Sequence, residues 1–233
     1  MHPDTDTAAR ERRQHVAFGV VSLVAVGCTG ILSLSQGGGR LYEPYFGSIP
    51  PLLALAVAAL VGSASLSLLS SRGWFEIYSS RTVRGVGVAA AIATPFVVWQ
   101  ICADLFVTHF PKDINVPLPQ SLLFYPAIGY VVEIVLHALP LALLLALLER
   151  FMTKANTAIV IGLCIVLVSS LEPVLVHLRM GASAYVGVFV FVFTLVELYV
   201  FRRYDFISMS AFRLVYYLGW HVAWGDLRLR WLF

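Results

Sequence analysis

The sequence is poor in charged residues and in cysteine, and each shortage limits what the protein can be. Asp, Glu, Lys and Arg make up 12% of the 233 residues, about half of their share in a soluble globular domain. Cys28, Cys102 and Cys164 fall inside apolar runs and share no short spacing, so they indicate neither a redox compartment nor a metal site. No soluble domain is left over, and we expect no nucleic-acid partner.

Apolar residues dominate what is present. They account for 59% of the chain, and the mean hydropathy is +0.84. A helix needs about 20 residues to cross the hydrocarbon core of a bilayer. Seven apolar runs are near or above that length, at residues 16–35, 50–70, 84–107, 121–149, 156–178, 182–201 and 206–225. Because the runs are too long for tilted strands and lack their alternation, we predict an all-α fold, a polytopic transmembrane helix bundle of about seven spans.

The apolar runs also divide the chain into four predicted parts. These are a cytoplasmic tail at residues 1–15, transmembrane helices and loops at 16–120, the bundle with the candidate site at 121–226, and a C-terminal tail at 227–233. The first run leads to no small-residue cleavage site of the A-x-A kind, so we predict an uncleaved first helix rather than a signal peptide.

Lys and Arg set the predicted orientation, because short loops rich in these residues stay cytoplasmic. They precede the first span and lie between spans two and three, four and five, and six and seven. We therefore predict a protein of a bacterial inner membrane, surrounded by lipid bilayer, with a cytoplasmic N-terminus. Seven spans would place the C-terminus outside, although Arg228 and Arg230 in the tail argue against that side.

Two ionisable residues stand inside the apolar segment "YPAIGYVVEIVLHALPLALLLALLER". Glu133 and His137 are four residues apart and therefore lie on one face of a helix. An ionisable side chain at membrane depth costs a few kcal/mol or more, so it is a functional candidate. The pair can share a proton, a water molecule or a metal ion.

Two further histidines are predicted at a compatible depth. By the orientation above, His177 and His221 fall, with Glu133 and His137, in the outer half of the bundle. Three imidazoles and a carboxylate suit zinc or another divalent metal, so we predict Glu133, His137, His177 and His221 as the ligands of a metal site. Metal-free acid–base chemistry is the alternative.

Three other charged residues, Asp104, Glu172 and Glu197, also lie inside the apolar runs. Glu172 precedes Pro173, so it either supports the site or caps a kink of its helix. Glu197 is expected to pair with Arg213 of the neighbouring span. Asp104, near the end of the third span, is expected to be structural or solvated.

Three short motifs stand in order along residues 121–226: "VVEIVLH", "PVLVH" and, after a basic turn, "HVAWG". In this order they resemble the CPBP intramembrane proteases, the group that includes the CAAX prenyl endopeptidases and the bacterial Abi proteins. That family carries Glu-Glu-x-x-x-Arg, Phe-x-x-x-His and His-x-x-x-Asn. This chain departs from the family at Val132, His137, Pro173 and Gly225, which stand at the first Glu, the Arg, the Phe and the Asn.

The resemblance implies an intramembrane endopeptidase, a metalloprotease-like hydrolase that cleaves a membrane-anchored peptide or protein. Carried over to this chain, it makes Glu133 the general base or a metal ligand, His177 its partner and His221 the oxyanion donor or a ligand. His137 and Glu172 would support them. Two alternatives remain open: a non-catalytic membrane scaffold that keeps the fold without the activity, and a small transporter or proton-relay protein that uses the same Glu–His chain.

Overall fold

The computed structural model describes residues 3–108, 110–181 and 183–233, and within these ranges the chain is helical, with no strand. Residues 1 and 2 of the predicted tail lie outside the described residues. The helices are α1 Pro3–Leu34, α2 Glu43–Phe46, α3 Pro51–Ser71, α4 Thr82–Phe106, α5 Ser121–Val132, α6 Leu139–Leu148, α7 Thr157–Ser169, α8 Leu171–Met180, α9 Ala184–Arg203, α10 Phe206–Tyr217 and α11 Gly225–Trp231. Three short 3-10 turns, Gly38–Tyr42, Lys112–Ile114 and Glu149–Phe151, join some of them.

The all-α transmembrane bundle is confirmed. In the part of the chain that the structure describes, six helical stretches are long and apolar enough to cross a membrane: Ala9–Leu34, Pro51–Ser71, Thr82–Phe106, Ser121–Phe151, Thr157–Leu178 and Ala184–Arg203. The seventh predicted span, 206–225, is also helical but is not among the six. It carries Arg213 and His221, which lower its apolar character. The predicted tails are largely helical too, because α1 begins at Pro3 and α11 continues to Trp231.

The buried apolar side chains form two clusters that meet at α10. One includes residues of α1, α3, α5, α6 and α7, and the other residues of α4, α9 and α10. Helix α10 packs most extensively on α4 and also contacts α9 and α5. At Gly85 of α4 the two helices approach so closely that an added Cβ would lie 2.1 Å from Ser208 Oγ. Any polar side chain on the inner face of α10 is therefore buried between the two clusters.

The turn before α10 is held by hydrogen bonds at one end of the bundle. Asp205 caps α10 by accepting from the backbone N–H of Ser208, and it also accepts from the hydroxyl groups of Ser79 and Thr82. A side-chain oxygen at this position satisfies a backbone donor that the helix leaves unpaired. The turn thus fixes where α10, and with it Arg213, enters the bundle.

Candidate functional site

Two π-helical segments interrupt the long helices, and each contains a predicted site residue. The first π segment, Glu133–Ala138, joins α5 to α6 and contains both Glu133 and His137. The second π segment, Leu218–Trp224, joins α10 to α11 and contains His221. Such insertions are rare and are found often at functional sites, because the extra residue changes the direction of nearby side chains.

Glu133 and His137 form the buried pair that the sequence predicts. His137 Nδ1 lies 3.0 Å from Glu133 Oε2, a hydrogen-bond distance, and the two side chains are 1% and 0% exposed. Glu197 of α9 is near as well, with its Oε2 3.8 Å from His137 Nδ1. Two spans, Ser121–Phe151 and Ala184–Arg203, therefore meet at one imidazole.

Arg213 of α10 is the hub of the cluster. Its Nε donates to Glu133 Oε1 at 3.2 Å and to Glu197 Oε1 at 3.1 Å, and its Nη2 donates to Glu197 Oε2 at 2.5 Å. The predicted pairing of Glu197 with Arg213 is thus confirmed. A planar guanidinium carries five N–H donors in a fixed fork, which suits two-point contacts with carboxylates.

Glu172 completes the set through its contacts with Arg213. It accepts from Arg213 Nη1 at 3.2 Å and from Nη2 at 2.9 Å. Thr194 of α9 donates to Glu172 Oε2 at 3.2 Å, and Tyr217 accepts from Arg213 Nη1 at 3.1 Å. We call Glu133, His137, Glu172, Glu197 and Arg213 the inner cluster.

A second buried arginine, Arg228 of α11, organises a separate group. Its Nε donates to Asp104 Oδ2 at 2.9 Å, and its Nη1 donates to Asn115 Oδ1 at 2.9 Å. Its Nη2 donates to the carbonyl of Phe110 at 2.6 Å, and Trp224 Nε1 donates to Asp104 at 2.9 Å. We call Asp104, Asn115, Trp224 and Arg228 the outer cluster. It fastens the loop after α4 to α11, as expected for a structural Asp104.

His221 belongs beside the outer cluster rather than with Glu133. Its Nδ1 is 3.3 Å from Asn115 Nδ2, and its ring stacks on Tyr125 with centroids 4.5 Å apart. His221 lies away from Glu133 because of its distance along the helix from Arg213. Eight residues of α-helix rise about 12 Å. Arg213 reaches the inner cluster, so His221, eight residues later, lies closer to the end of the bundle.

His177 lies at the end of α8 and is exposed. Glu172 of the same helix points to Arg213 instead. Five residues turn an α-helix by about 500°, so two such positions lie about 140° apart around the axis. The predicted metal site needs correction here, because the structure brings Glu133 and His137 together with Glu197, not with His177 and His221.

The sequence contains a signal for the inner cluster that is separate from the three short motifs. Arg213 is an arginine inside an apolar run, and such a residue needs buried carboxylate partners. Glu172 and Glu197 are the other carboxylates in the neighbouring apolar runs. Counting buried charges across all the spans, rather than matching histidines, would have predicted this group.

A small cavity adjoins the cluster. Its volume is about 30 Å³, enough for one water molecule, which needs at least about 10–15 Å³. Glu133 and Arg213 lie on its wall, and the other lining residues are Val21, Pro126, Gly129, Tyr130, Ser210 and Leu214. The cavity thus places a water-sized space beside an ionisable carboxylate.

The donor atoms of Glu133, His137 and Glu197 could hold a metal ion. One ligand atom from each lies within 4.8 Å of the others, and this is the one such group of three or more among the described residues. One imidazole and two carboxylates are ordinary ligands of divalent metals. The coarse prediction of a buried metal-binding group therefore has a structural basis.

Comparison with known proteins identifies no relative of this chain. No family model, curated protein or solved structure matches this chain. The function is therefore argued from the geometry of the inner cluster.

Proposed function

We propose that this protein is an intramembrane endopeptidase of the CPBP type, which hydrolyses a membrane-anchored peptide or protein. The observation that carries the proposal is the Glu133–His137 pair, 3.0 Å apart and buried, with Glu133 on the wall of a water-sized cavity. We place the protein in a bacterial inner membrane with a cytoplasmic N-terminus, as the distribution of Lys and Arg indicates.

The proposed reaction is attack of an activated water on a peptide carbonyl. Glu133 accepts the proton of the water, and His137, in contact with Glu133 Oε2, holds the carboxylate in place. The proton then passes to the peptide nitrogen as the C–N bond breaks, which releases an amine and a new carboxyl group and restores the Glu133 carboxylate. Arg213, which also lines the cavity, faces the negative charge that develops on the carbonyl oxygen. In this proposal His137, rather than His177, is the partner of Glu133. Arg213, rather than His221, stabilises the oxyanion.

Glu133 is needed whether or not a metal takes part. It is the base in a metal-free mechanism and a ligand if zinc or another divalent ion holds the water. Replacement of its carboxylate by an amide tests both the metal-free and the metal-dependent mechanism. At neutral pH, Gln neither accepts a proton nor supplies a negative charge to an ion.

A non-catalytic scaffold is the second candidate, and one observation favours it. The N–H groups of Arg213 contact three carboxylates and Tyr217, so the guanidinium is already saturated with acceptors. An oxyanion would have to displace one of them. In a scaffold without catalytic activity, Arg213 would need no free donor, and all its N–H groups could bind the neighbouring acceptors.

The experiment uses the purified full chain in lipid vesicles with a pool of fluorescence-quenched transmembrane peptides as probe. We expect the wild-type protein to cleave members of the pool and to incorporate one oxygen from ¹⁸O-labelled water into the new carboxyl group. The Glu133→Gln variant should lose at least 100-fold in rate, since general acid–base catalysis contributes about 10²–10⁴-fold.

Glu149→Gln is the matched control. Glu149 lies in a 3-10 turn away from the inner cluster and pairs with Arg72, so its amide variant should cleave at the wild-type rate. Equal rates for the wild type and Glu133→Gln, or no cleavage of any probe by a folded wild type, would rule out the hydrolase and leave the scaffold.

A further inference from the structure

A second cavity lies away from the inner cluster, in the connection between α1 and α3. Its volume is about 670 Å³, within the range of about 300–1,000 Å³ that is usual for small-molecule sites. The end of α1, the Gly38–Tyr42 turn, α2 and the first residue of α3 form its walls. The cavity is therefore a candidate binding site in its own right.

The walls of this cavity have a fixed conformation. Tyr42 is 1% exposed, its hydroxyl lies 3.2 Å from Thr29 Oγ1, and its ring packs on Phe124 of α5 with centroids 5.2 Å apart. Gly38 is packed so closely that an added Cβ would lie 2.0 Å from the carbonyl oxygen of Leu32. The cavity is thus a formed part of the fold and not a gap in a loose loop.

The cavity lies at the level of the lipid headgroups. Near the other end of α1, Gln14 accepts from the backbone N–H of Ile77 at 2.6 Å, and Ile77 accepts from the N–H of Ile207 at the start of α10. The helix from Gln14 to Ser33 rises about 28 Å, close to the thickness of a hydrocarbon core, about 30 Å. Ser33, on the cavity wall, therefore meets the headgroups at the opposite face of the bundle.

Arg40 and Glu43 line the cavity with opposite charges. Both side chains are exposed, and neither forms an ion pair with the other or with a third described residue. A guanidinium suits phosphate oxygens, and a carboxylate accepts hydrogen bonds from an ammonium group. One cation and one anion on the same wall favour a zwitterion over a ligand with a single charge.

Apolar side chains beside the cavity favour a lipid over a soluble zwitterion. Ile49 lines the cavity and is 52% exposed, and Leu34, next to the lining residue Ser33, is 90% exposed. Leu53, in the first turn of α3, is 55% exposed. Acyl chains that run from a headgroup in the cavity would lie along these side chains and be kept from water.

We propose that this cavity binds the headgroup of one phospholipid that carries both a phosphate and a primary ammonium group, as in phosphatidylethanolamine. Arg40 donates to the phosphate, and Glu43 accepts from the ammonium group. The proposal is independent of the hydrolase and holds for either orientation of the chain in the membrane.

The test measures lipid binding by native mass spectrometry on the full chain, purified and freed of lipid in detergent. The probes are phosphatidylethanolamine, phosphatidylcholine and phosphatidylglycerol with identical acyl chains. We expect one phosphatidylethanolamine per chain, bound at least about 10-fold more tightly than the other two, because neither of these has an ammonium N–H that donates to Glu43. Equal affinities for the three lipids would overturn the proposal.

Charge variants locate the bound lipid. Arg40→Gln should bind phosphatidylethanolamine about 10-fold more weakly, and Glu43→Gln should no longer distinguish it from phosphatidylcholine. Glu43→Lys should reverse the preference and bind the anionic phosphatidylglycerol most tightly. Arg84→Gln is the matched control, since Arg84 is exposed in the first turn of α4 at the opposite end of the bundle. Wild-type affinities in both Arg40→Gln and Glu43→Gln would overturn the assignment of the cavity.

Free phosphoethanolamine distinguishes a lipid from a soluble ligand. It carries the same charged groups without acyl chains, so it should compete at least about 100-fold more weakly than the lipid, since buried methylene groups add to affinity. Competition by phosphoethanolamine at the concentration at which the lipid itself competes would contradict the lipid as the occupant of the cavity.

Discussion

The two buried arginines of the C-terminal helices make opposite kinds of site. Arg228 meets one carboxylate, Asp104, and its other donors go to Asn115 and to backbone carbonyl groups. Arg213 meets three carboxylates and has His137 beside them. Both side chains are almost fully buried, at 2% exposure or less. Burial of an arginine alone therefore does not distinguish a structural contact from a candidate reaction site.

The balance of charge is what distinguishes them. The outer cluster pairs one carboxylate with one guanidinium and ties a loop to α11, so each polar group has a structural task. The inner cluster sets three carboxyl groups and the imidazole of His137 around one guanidinium. Buried ionisable groups in this number gain little stability over apolar packing, and we therefore assign them to chemistry.

The largest effect is expected for loss of the inner arginine. Arg213→Met leaves three carboxylates buried without a counter-charge, and removal of one partner of a single buried pair already costs about 3–5 kcal/mol. The double variant Arg213→Met with Glu197→Gln should stay strongly destabilised, because Glu133 and Glu172 remain. The midpoint of thermal unfolding in detergent measures both variants.

The outer cluster should behave differently in the same assay. Arg228→Met should cost about 3–5 kcal/mol, since Asp104 is left buried without its arginine. Adding Asp104→Leu should recover most of that loss, because replacing a buried pair by apolar side chains is often neutral. A double variant as unstable as Arg228→Met alone would contradict the pairing of Asp104 with Arg228.

The smallest effects concern the two histidines that the sequence placed in the site. His221→Ala should lower stability by about 1–2 kcal/mol, through loss of the stacking on Tyr125 and the contact with Asn115. His177→Ala should change stability by less than about 0.5 kcal/mol, as exposed substitutions usually do. A loss of peptide cleavage in His177→Ala would restore that residue to the site.

The fold could be predicted from the sequence because the bilayer imposes it. An apolar run of about 20 residues has one stable form in lipid, the helix. The positions of the helices along the chain therefore follow from where the apolar runs lie. The span at 206–225 has a weaker apolar signal. Arg213 and His221 make it more polar than the other spans, although both side chains have polar partners inside the bundle.

The site could be predicted only where its residues are neighbours on one helix. Glu133 and His137 are four residues apart, and this spacing alone places them together. Glu172 and Glu197 come from other helices, and their meeting depends on how α8, α9 and α10 pack. No sequence spacing shows that Glu172 rather than His177 faces inward, because the start of α8 after Ser170 sets the rotation of that helix.

One pair of neutralising substitutions tests the contrast between the clusters most directly. Glu133→Gln and Asp104→Asn each replace one buried carboxylate by its amide, and the midpoint of thermal unfolding is measured with a chelator present so that bound ions do not contribute. We expect Glu133→Gln to be as stable as the wild type or more stable, because Arg213 keeps two carboxylates. Asp104→Asn should lose about 3–5 kcal/mol, because Arg228 loses its carboxylate partner. A Glu133→Gln variant destabilised as much as Asp104→Asn would show that the inner cluster is also a structural lock, and the assignment of its ionisable groups to chemistry would be contradicted.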